Sequence, residues 1–374
     1  APVLLVLTSR PDSQPALAGH PHVTRLGLNR LGRAGAEAIV ARLGGERLPP
    51  ATIATIIART DGVPLYVEEM TKAVLETGET AIPASLHDSL MARLDRTLEV
   101  KEIAQIAACI GREFDYGLLA AVTDQPPEQL TAALDKLLQA ELVFRRGSPP
   151  EAHYSFKHAL VRDAAYESLL KSKRQSIHRR ILDALAASDA EPQMFGHHAR
   201  EAGLFELAIG HFEAAGREAL ARPAYLEAIA NLRRAVEMVR TLGDAGPSHE
   251  LELQIAIGQA SIAGFGYSAA DTRAAFQRAL DLLREIGESP LWTYCYYGNW
   301  VGRNVAAELR DALVLAEDML RIAEAGNDDT GVVTALRMIG TTQMLSGRLV
   351  VAESRLAAAS RLYDPERDRA LLAS

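Results

Sequence analysis

Six positions recur in type and at identical intervals in two distant stretches of the chain. Gly196, Gly203, Phe205, Ala208, Phe212 and Ala215 are matched by Gly340, Gly347, Leu349, Ala352, Leu356 and Ala359. Self-similarity of this kind marks a repeat architecture, and the intervals suit two helices joined by a tight turn. The small residues stand where the helices cross closely, the glycine before the second helix permits the turn, and the large apolar residue fills the groove. Arg222 to Ile229, followed by Leu232 and Ala235, repeats the second half. A looser copy ends at Phe276 and Ala279, and a fourth candidate covers Tyr294 to Ile322. Each hairpin would leave an apolar face that only a neighbour can cover, so the hairpins are expected to stack into an α-α superhelix with a concave surface.

These hairpins are of the tetratricopeptide type, and the rest of the chain is read from period and punctuation. Val3 to Leu7 is a β-rich apolar run followed by a polar turn, as in a buried parallel strand whose far end faces a ligand in α/β folds. Val23 to Leu28 is a second short strand candidate. Helices are expected from Ala34 to Leu43, from Pro50 through Ile57 and from Leu65 to Thr77, with Gly44 and Gly45 as a stop and Pro64 in a first turn. Four more are expected over Ser85–Leu94, Val100–Ile110, Tyr116–Val122 and Pro127–Ala140, ahead of strand-like Leu142–Arg146 and His153–Phe156. Helices followed by a β-hairpin are the order of a winged helix. Two further helices, Leu160–Leu170 and Arg174–Ala187, lead into the repeats.

Composition narrows the function classes. At 374 residues the chain exceeds the size of one growing core, so two or three domains are expected. A formal charge of -8 gives no overall drive toward nucleic acid or an anionic membrane. Cys109 and Cys295 lie too far apart for a disulfide framework and suit a reducing cytosol. The longest apolar run, Val3 to Leu7, is too short for a bilayer and lacks the flanks of a signal peptide, so a cytoplasmic protein is expected. The chain opens without Met inside an apolar run and stops in helical sequence at Leu371–Ser374, as a piece of a longer protein would.

Leu4-Leu5-Val6-Leu7-Thr8-Ser9-Arg10-Pro11 resembles the sensor strand of the signal-transduction ATPases with numerous domains, the group that includes the bacterial maltose regulator, apoptotic-protease activators and plant immune receptors. Gly62-Val63-Pro64-Leu65-Tyr66-Val67-Glu68-Glu69 resembles their Gly-x-Pro lid motif. Phe156 to Tyr166 is similar to the segment closing their winged-helix domain. The resemblance implies a mainly α fold in four parts: residues 1–33 as the end of an NTPase α/β core, 34–80 as a helical lid, 81–188 as a winged-helix-like domain with connecting helices, and 189–374 as the repeats. It further implies ATP or ADP as cofactor, with Arg10 near the γ-phosphate, Pro64 against the adenine and His158 on the phosphates of ADP. Each has a plainer alternative: Arg10 as a surface ion-pair partner, Pro64 as a helix start, and His158 as a hydrogen-bonded histidine at a domain junction.

The chain also departs from that pattern. A phosphate-cradling loop needs glycines backing a Lys and a hydroxyl at a helix start, and no Gly-Lys pair occurs here. Nor does an apolar strand end in the acidic pair that would hold Mg²⁺. Both would lie upstream of Ala1, so no catalytic residue is assigned and this chain is not expected to hydrolyse ATP alone.

Three other constellations are weighed. His197, His198 and Glu201 share a helical spacing that could offer metal ligands, but further ligands are lacking and no metal is expected. Lys171, Lys173, Arg174, Arg179 and Arg180 form a basic run that suits a solvated helix face better than a phosphate contact. Trp292, Tyr294, Tyr296, Tyr297 and Trp300 form the densest aromatic cluster, read as helix-packing core.

Together these readings describe the regulatory and protein-interaction region of an ADP/ATP-switched signalling protein. A protein or small-molecule effector would bind the array and bias a closed, ADP-bound state against an open, ATP-bound one. The partners in cis would be the NTPase core and an output domain, for which a nucleotide cyclase is expected. Nucleotide-dependent self-association fits the same reading, and nucleic acid and membrane do not. Two alternatives stay open: part of a maltose-regulator-like DNA-binding transcriptional regulator, or a plain helical scaffold.

Overall fold

The computed structural model describes residues 4–8, 22–24, 26–44, 48–77, 85, 88, 91, 94–95, 98–186, 188, 190–241 and 246–368. Among these the chain is mainly helical, with seventeen α-helices and one three-stranded sheet. It divides into two compact units, residues 1–101 and 102–374.

In the first unit, α1 (Arg33–Arg42), α2 (Pro50–Thr60) and α3 (Pro64–Thr77) pack around Ala36, Val40, Ile56, Val67, Met70 and Val74. Helix α2 ends in left-handed Asp61, and Gly62 follows with φ +69°. A Cβ on Gly62 would lie 2.2 Å from the Leu31 carbonyl oxygen, and the Leu31 N–H donates to the Gly62 carbonyl at 2.8 Å. Only glycine meets both the conformation and the close approach. The strand expectations fail here: residues 4–8 and 26–30 form no strand, and Leu4 is 89% exposed. An apolar run becomes a buried strand only where a neighbour pairs its backbone, and this unit holds no such neighbour among the described residues. Arg10 lies outside the described residues, as does most of the expected helix Ser85–Leu94.

The second unit begins within α4 (Leu98–Ile110) and continues through β1 (Glu113–Asp115), α5 (Tyr116–Val122), α6 (Pro127–Gln139), β2 (Val143–Arg146) and β3 (His153–Phe156). The hairpin pairs as read from sequence, with Phe144 opposite Ser155. Strand β1 was not foreseen and adds to the other side of β3, with Phe114 opposite Tyr154. Three residues are too few to show alternation; Phe114, its single buried residue, stacks on Tyr154 at 5.5 Å and meets Phe156 at 5.6 Å.

Next come α7 (Ala159–Glu167) and α8 (Lys171–Leu185), and then nine consecutive helices of the array. These are α9 (Pro192–Glu201), α10 (Phe205–Ala221), α11 (Tyr225–Val239), α12 (Gly246–Phe265), α13 (Ala270–Ile286), α14 (Trp292–Val305), α15 (Leu309–Ala325), α16 (Asp329–Leu345) and α17 (Leu349–Leu362). The repeat holds at atomic level. A Cβ on Gly196 would stand 2.9 Å from Phe212, and one on Gly340 2.6 Å from Leu356. Gly216 and Leu232 (2.9 Å) and Gly258 and Phe276 (2.7 Å) make the same contact elsewhere. Two core clusters run along the array, one built on Ile209, Phe212, Leu232 and Val236, the other on Leu283, Tyr296, Trp300 and Met338.

Four inter-helix turns share one geometry. Gly203, Ala307, Asn327 and Gly347 each stand two residues past a helix end with positive φ. This is the left-handed stop that relieves unpaired helix carbonyls, and glycine meets it without steric cost. Ala307, at φ +60°, carries a Cβ into that region. Ala307→Gly is therefore expected to raise stability by roughly 0.5–1 kcal/mol. Urea denaturation measures this, and a lower midpoint at unchanged slope would contradict it.

Candidate functional site

Pro64 opens α3 with its ring exposed. His158, in the second unit, is the half-buried N-cap of α7, in extended conformation (φ -136°, ψ 144°), and its side chain makes no cap hydrogen bond. The structure thus describes these two in separate units, and Arg10 not at all.

Helix α7 links His158 to the array. Tyr166, near the end of α7, donates to Glu201 of α9 at 3.0 Å and meets His178 Nε2 of α8 at 3.3 Å. His178 Nδ1 stands 2.9 Å from His198 Nδ1 of α9, and both rings are buried. One hydroxyl carries one proton, so with Tyr166 donating to Glu201, His178 Nε2–H must donate to the tyrosine oxygen. His178 Nδ1 then accepts from His198 Nδ1–H. The result is a directed relay from His198 through His178 and Tyr166 to Glu201, crossing three helices. Burial pushes His178 down to about 4 and His198 to about 3, so both are neutral at pH 7. Burial works against the Glu201 charge, but hydrogen bonds from Arg200 and Tyr166 prevail and hold its pKa below the ordinary value. The Arg174 guanidinium lies over the Tyr166 ring, 5.0 Å from its centroid.

Two sequence readings resolve at this junction. Helical spacing offered His197, His198 and Glu201 as metal ligands to be weighed; of these, His198 and Glu201 find partners on α8 and α7. Among the described residues no group of three or more His, Cys, Asp or Glu is placed to hold a metal ion. Four of the five residues of the basic run on α8 are engaged within the second unit: Lys173 with Glu102 at 3.8 Å, Arg174 on Tyr166, Arg179 on the Ala202 carbonyl, and Arg180 on the Val122 carbonyl and Asp124.

A second feature is a cavity of about 370 Å³ where the end of α13 and the start of α14 meet the end of α15. Leu283, Trp292, Tyr296 and Ile322 supply its apolar wall, with Glu288 and Asp328 among its polar residues. Tyr296 donates to Asp318 at 2.7 Å, and burial, aided by that carboxylate, pushes the phenol up to about 12. Of the aromatic cluster, Tyr296 and Trp300 are core, with Trp300 Nε1–H bonded to Thr342 at 2.8 Å. Trp292, only half-buried, lines the cavity. The density of aromatics was legible in sequence; which ring faced a void was not. Burial pushes both free thiols, Cys109 and Cys295, up to about 12, which makes them poor nucleophiles. Among the described residues no helix is long and apolar enough to cross a membrane.

No family model matches this sequence. An uncharacterized protein of Rhizobium meliloti (strain 1021) is 28% identical over 390 residues, covering 98% of this chain. The chain spans 38% of the length of that relative. Among solved structures, a Signal Transduction ATPase with Numerous Domains protein with a tetratricopeptide repeat sensor, from Pyrococcus horikoshii, is similar at 16% identity and a TM-score of 0.39. That match covers 92% of this chain and 55% of the other.

Proposed function

We propose that this chain is the regulatory region of a cytoplasmic, ADP/ATP-switched signalling protein, in which the helical array receives an effector and the segment from His158 to Tyr166 reports its binding to a nucleotide site. The observation that supports this is the relay: α7 carries His158 at its start and, at its end, Tyr166 bonded to the first helix of the array. A shift of α9 on effector binding would break or strain a directed set of hydrogen bonds, buried at the histidine pair and part-buried at Tyr166, and such networks favour two states over a continuum. Pro64 and His158 would touch the adenine and phosphates, Arg10 the γ-phosphate, and an attached output domain, a nucleotide cyclase by preference, would be controlled.

The test is calorimetry of ADP and ATP against this chain and against a longer form that includes a phosphate loop upstream. Binding is expected only to the longer form, weakened about tenfold for ADP by His158→Ala, which corresponds to one lost charge-assisted hydrogen bond. Binding to neither form would sink the switch and leave a helical scaffold.

A further inference from the structure

We infer that the cavity between α13, α14 and α15 is a site for a small organic cation, an ammonium group carried on an apolar body. The inference rests on reading the array as the effector-binding part, and it names the chemistry of that effector. About 370 Å³ is room for a small molecule rather than a peptide, and Leu283, Ile322 and the two aromatic rings offer it an apolar bed. Trp292 and Tyr296 stand edge to face, 6.0 Å between centroids at 73°, and the half-buried indole leaves part of its surface open to the cavity. An indole is the strongest side-chain partner for a cation.

The charges point the same way. Glu288 and Asp328 both line the cavity, and neither forms an ion pair among the described residues. The one guanidinium on the lining, Arg284, has Asp281 beside it at 3.5 Å, and nearby Arg321 is taken by Asp318. Asp328 is held in place: its Oδ1 accepts from the Gly331 N–H at 3.0 Å as the N-cap of α16. Gly331 also lets the recognition groups stand together. A Cβ there would lie 2.7 Å from the Trp292 ring and 2.8 Å from Asp328 Oδ2, so the missing side chain lets an indole and a carboxylate approach one spot. An aromatic face with a carboxylate beside it is what an ammonium group requires. An anion would find one guanidinium, Arg284, already beside Asp281, set against two carboxylates and the indole, on a chain with a formal charge of -8.

The test uses the chain as it stands and three probes of one shape and different charge: 2-phenylethylamine, 2-phenylethanol and 3-phenylpropionate, titrated calorimetrically. The amine is expected to bind at least about tenfold more tightly than the alcohol, with no detectable binding of the carboxylate. Glu288→Gln with Asp328→Asn keeps the shape and the cap, since asparagine caps as well as aspartate. This pair is expected to bring the amine down to the affinity of the alcohol. Binding of the carboxylate, an amine affinity unchanged in the double variant, or no binding of any probe would overturn the proposal. Because neither ADP nor the longer form enters this experiment, it can fail while the nucleotide switch stands, and the reverse.

Discussion

Replacing Arg240 and Arg278 together by alanine is expected to cost the array about 3–5 kcal/mol, the scale for stranding a buried charge. Glu250, on α12, is 3% exposed. It accepts from Arg240, just past α11, at 2.8 Å, and from Arg278 of α13 at 3.1 Å, so one carboxylate ties three successive helices. Burial opposes its charge, yet the two guanidiniums win and hold it at about 2. Without them only the Gln254 amide, at 3.4 Å, stands beside a carboxylate that water scarcely reaches. Glu250→Leu in that background should recover most of the loss, because the charge that suffers is then gone. The single variant Glu250→Leu should cost much less, since both guanidiniums are partly exposed and can turn to water. The sign in pH follows. A depressed carboxylate contributes stability that is present above its unfolded pKa near 4.5 and is lost as pH falls toward 2. The arginine-free variant should lose that dependence and gain from acid instead. Chemical denaturation at several pH values measures all of this; a double-arginine variant within 1 kcal/mol of the parent would show that the carboxylate is not isolated from water.

Mild acid is expected to undo the junction before it undoes the rest of the array. Burial lowers His178 to about 4 and His198 to about 3, against an unfolded value near 6.5. A histidine with a lowered folded pKa contributes stability that is complete above 6.5 and is lost as pH falls, because the unfolded chain takes up protons that the fold refuses. The loss is about 1.4 kcal/mol per pH unit for each proton bound. Neighbouring groups modulate that burial effect: Glu201 favours the imidazolium of both, Arg174 opposes that of His178, and His197, once protonated, opposes both. Protonation also breaks the direction of the relay, since His178 and His198 would then present N–H groups to each other unless His198 changes tautomer. Hydrogen exchange of α8 and α9 between pH 7 and 4.5 should show protection falling there first, and His178→Leu with His198→Leu should flatten the response. Equal loss of protection along the whole array would contradict this.

The array was the most legible part of the chain. The interval from Gly196 to Phe212 and from Gly340 to Leu356 names residues that touch in the fold, because a close helix crossing admits a glycine opposite one large side chain and little else. Turns were legible only where glycine marks them. Gly203 and Gly347 announce a positive φ and Asn327 is of a type that tolerates it, whereas Ala307 takes the same geometry with no signal of its own. There the packing of the helices on either side overrides a local preference worth about 1 kcal/mol. Strands fared by length and partner. The hairpin was found from its flanking turn, β1 was too short to show a period, and the apolar run Leu4–Leu7 had the composition of a strand but nothing described to pair with.

The candidate sites divide along a similar line. Sequence alone determined the mainly helical superhelix and its register, since both follow from the spacing of residues within one helix or between consecutive ones. It also marked His198, Glu201 and Trp292 as chemically notable. Their partners were decided only by tertiary structure: His178 and Tyr166 reach the first two from other helices, Gly331 makes room beside Trp292 for Asp328, and Glu250 is completed by Arg278, 28 residues further on. A helical repeat specifies which faces meet through a periodic pattern of size and polarity. Hydrogen bonds and ion pairs between helices depend on the rotation and offset of each packed pair, and those are set by the summed fit of many side chains rather than by any local spacing.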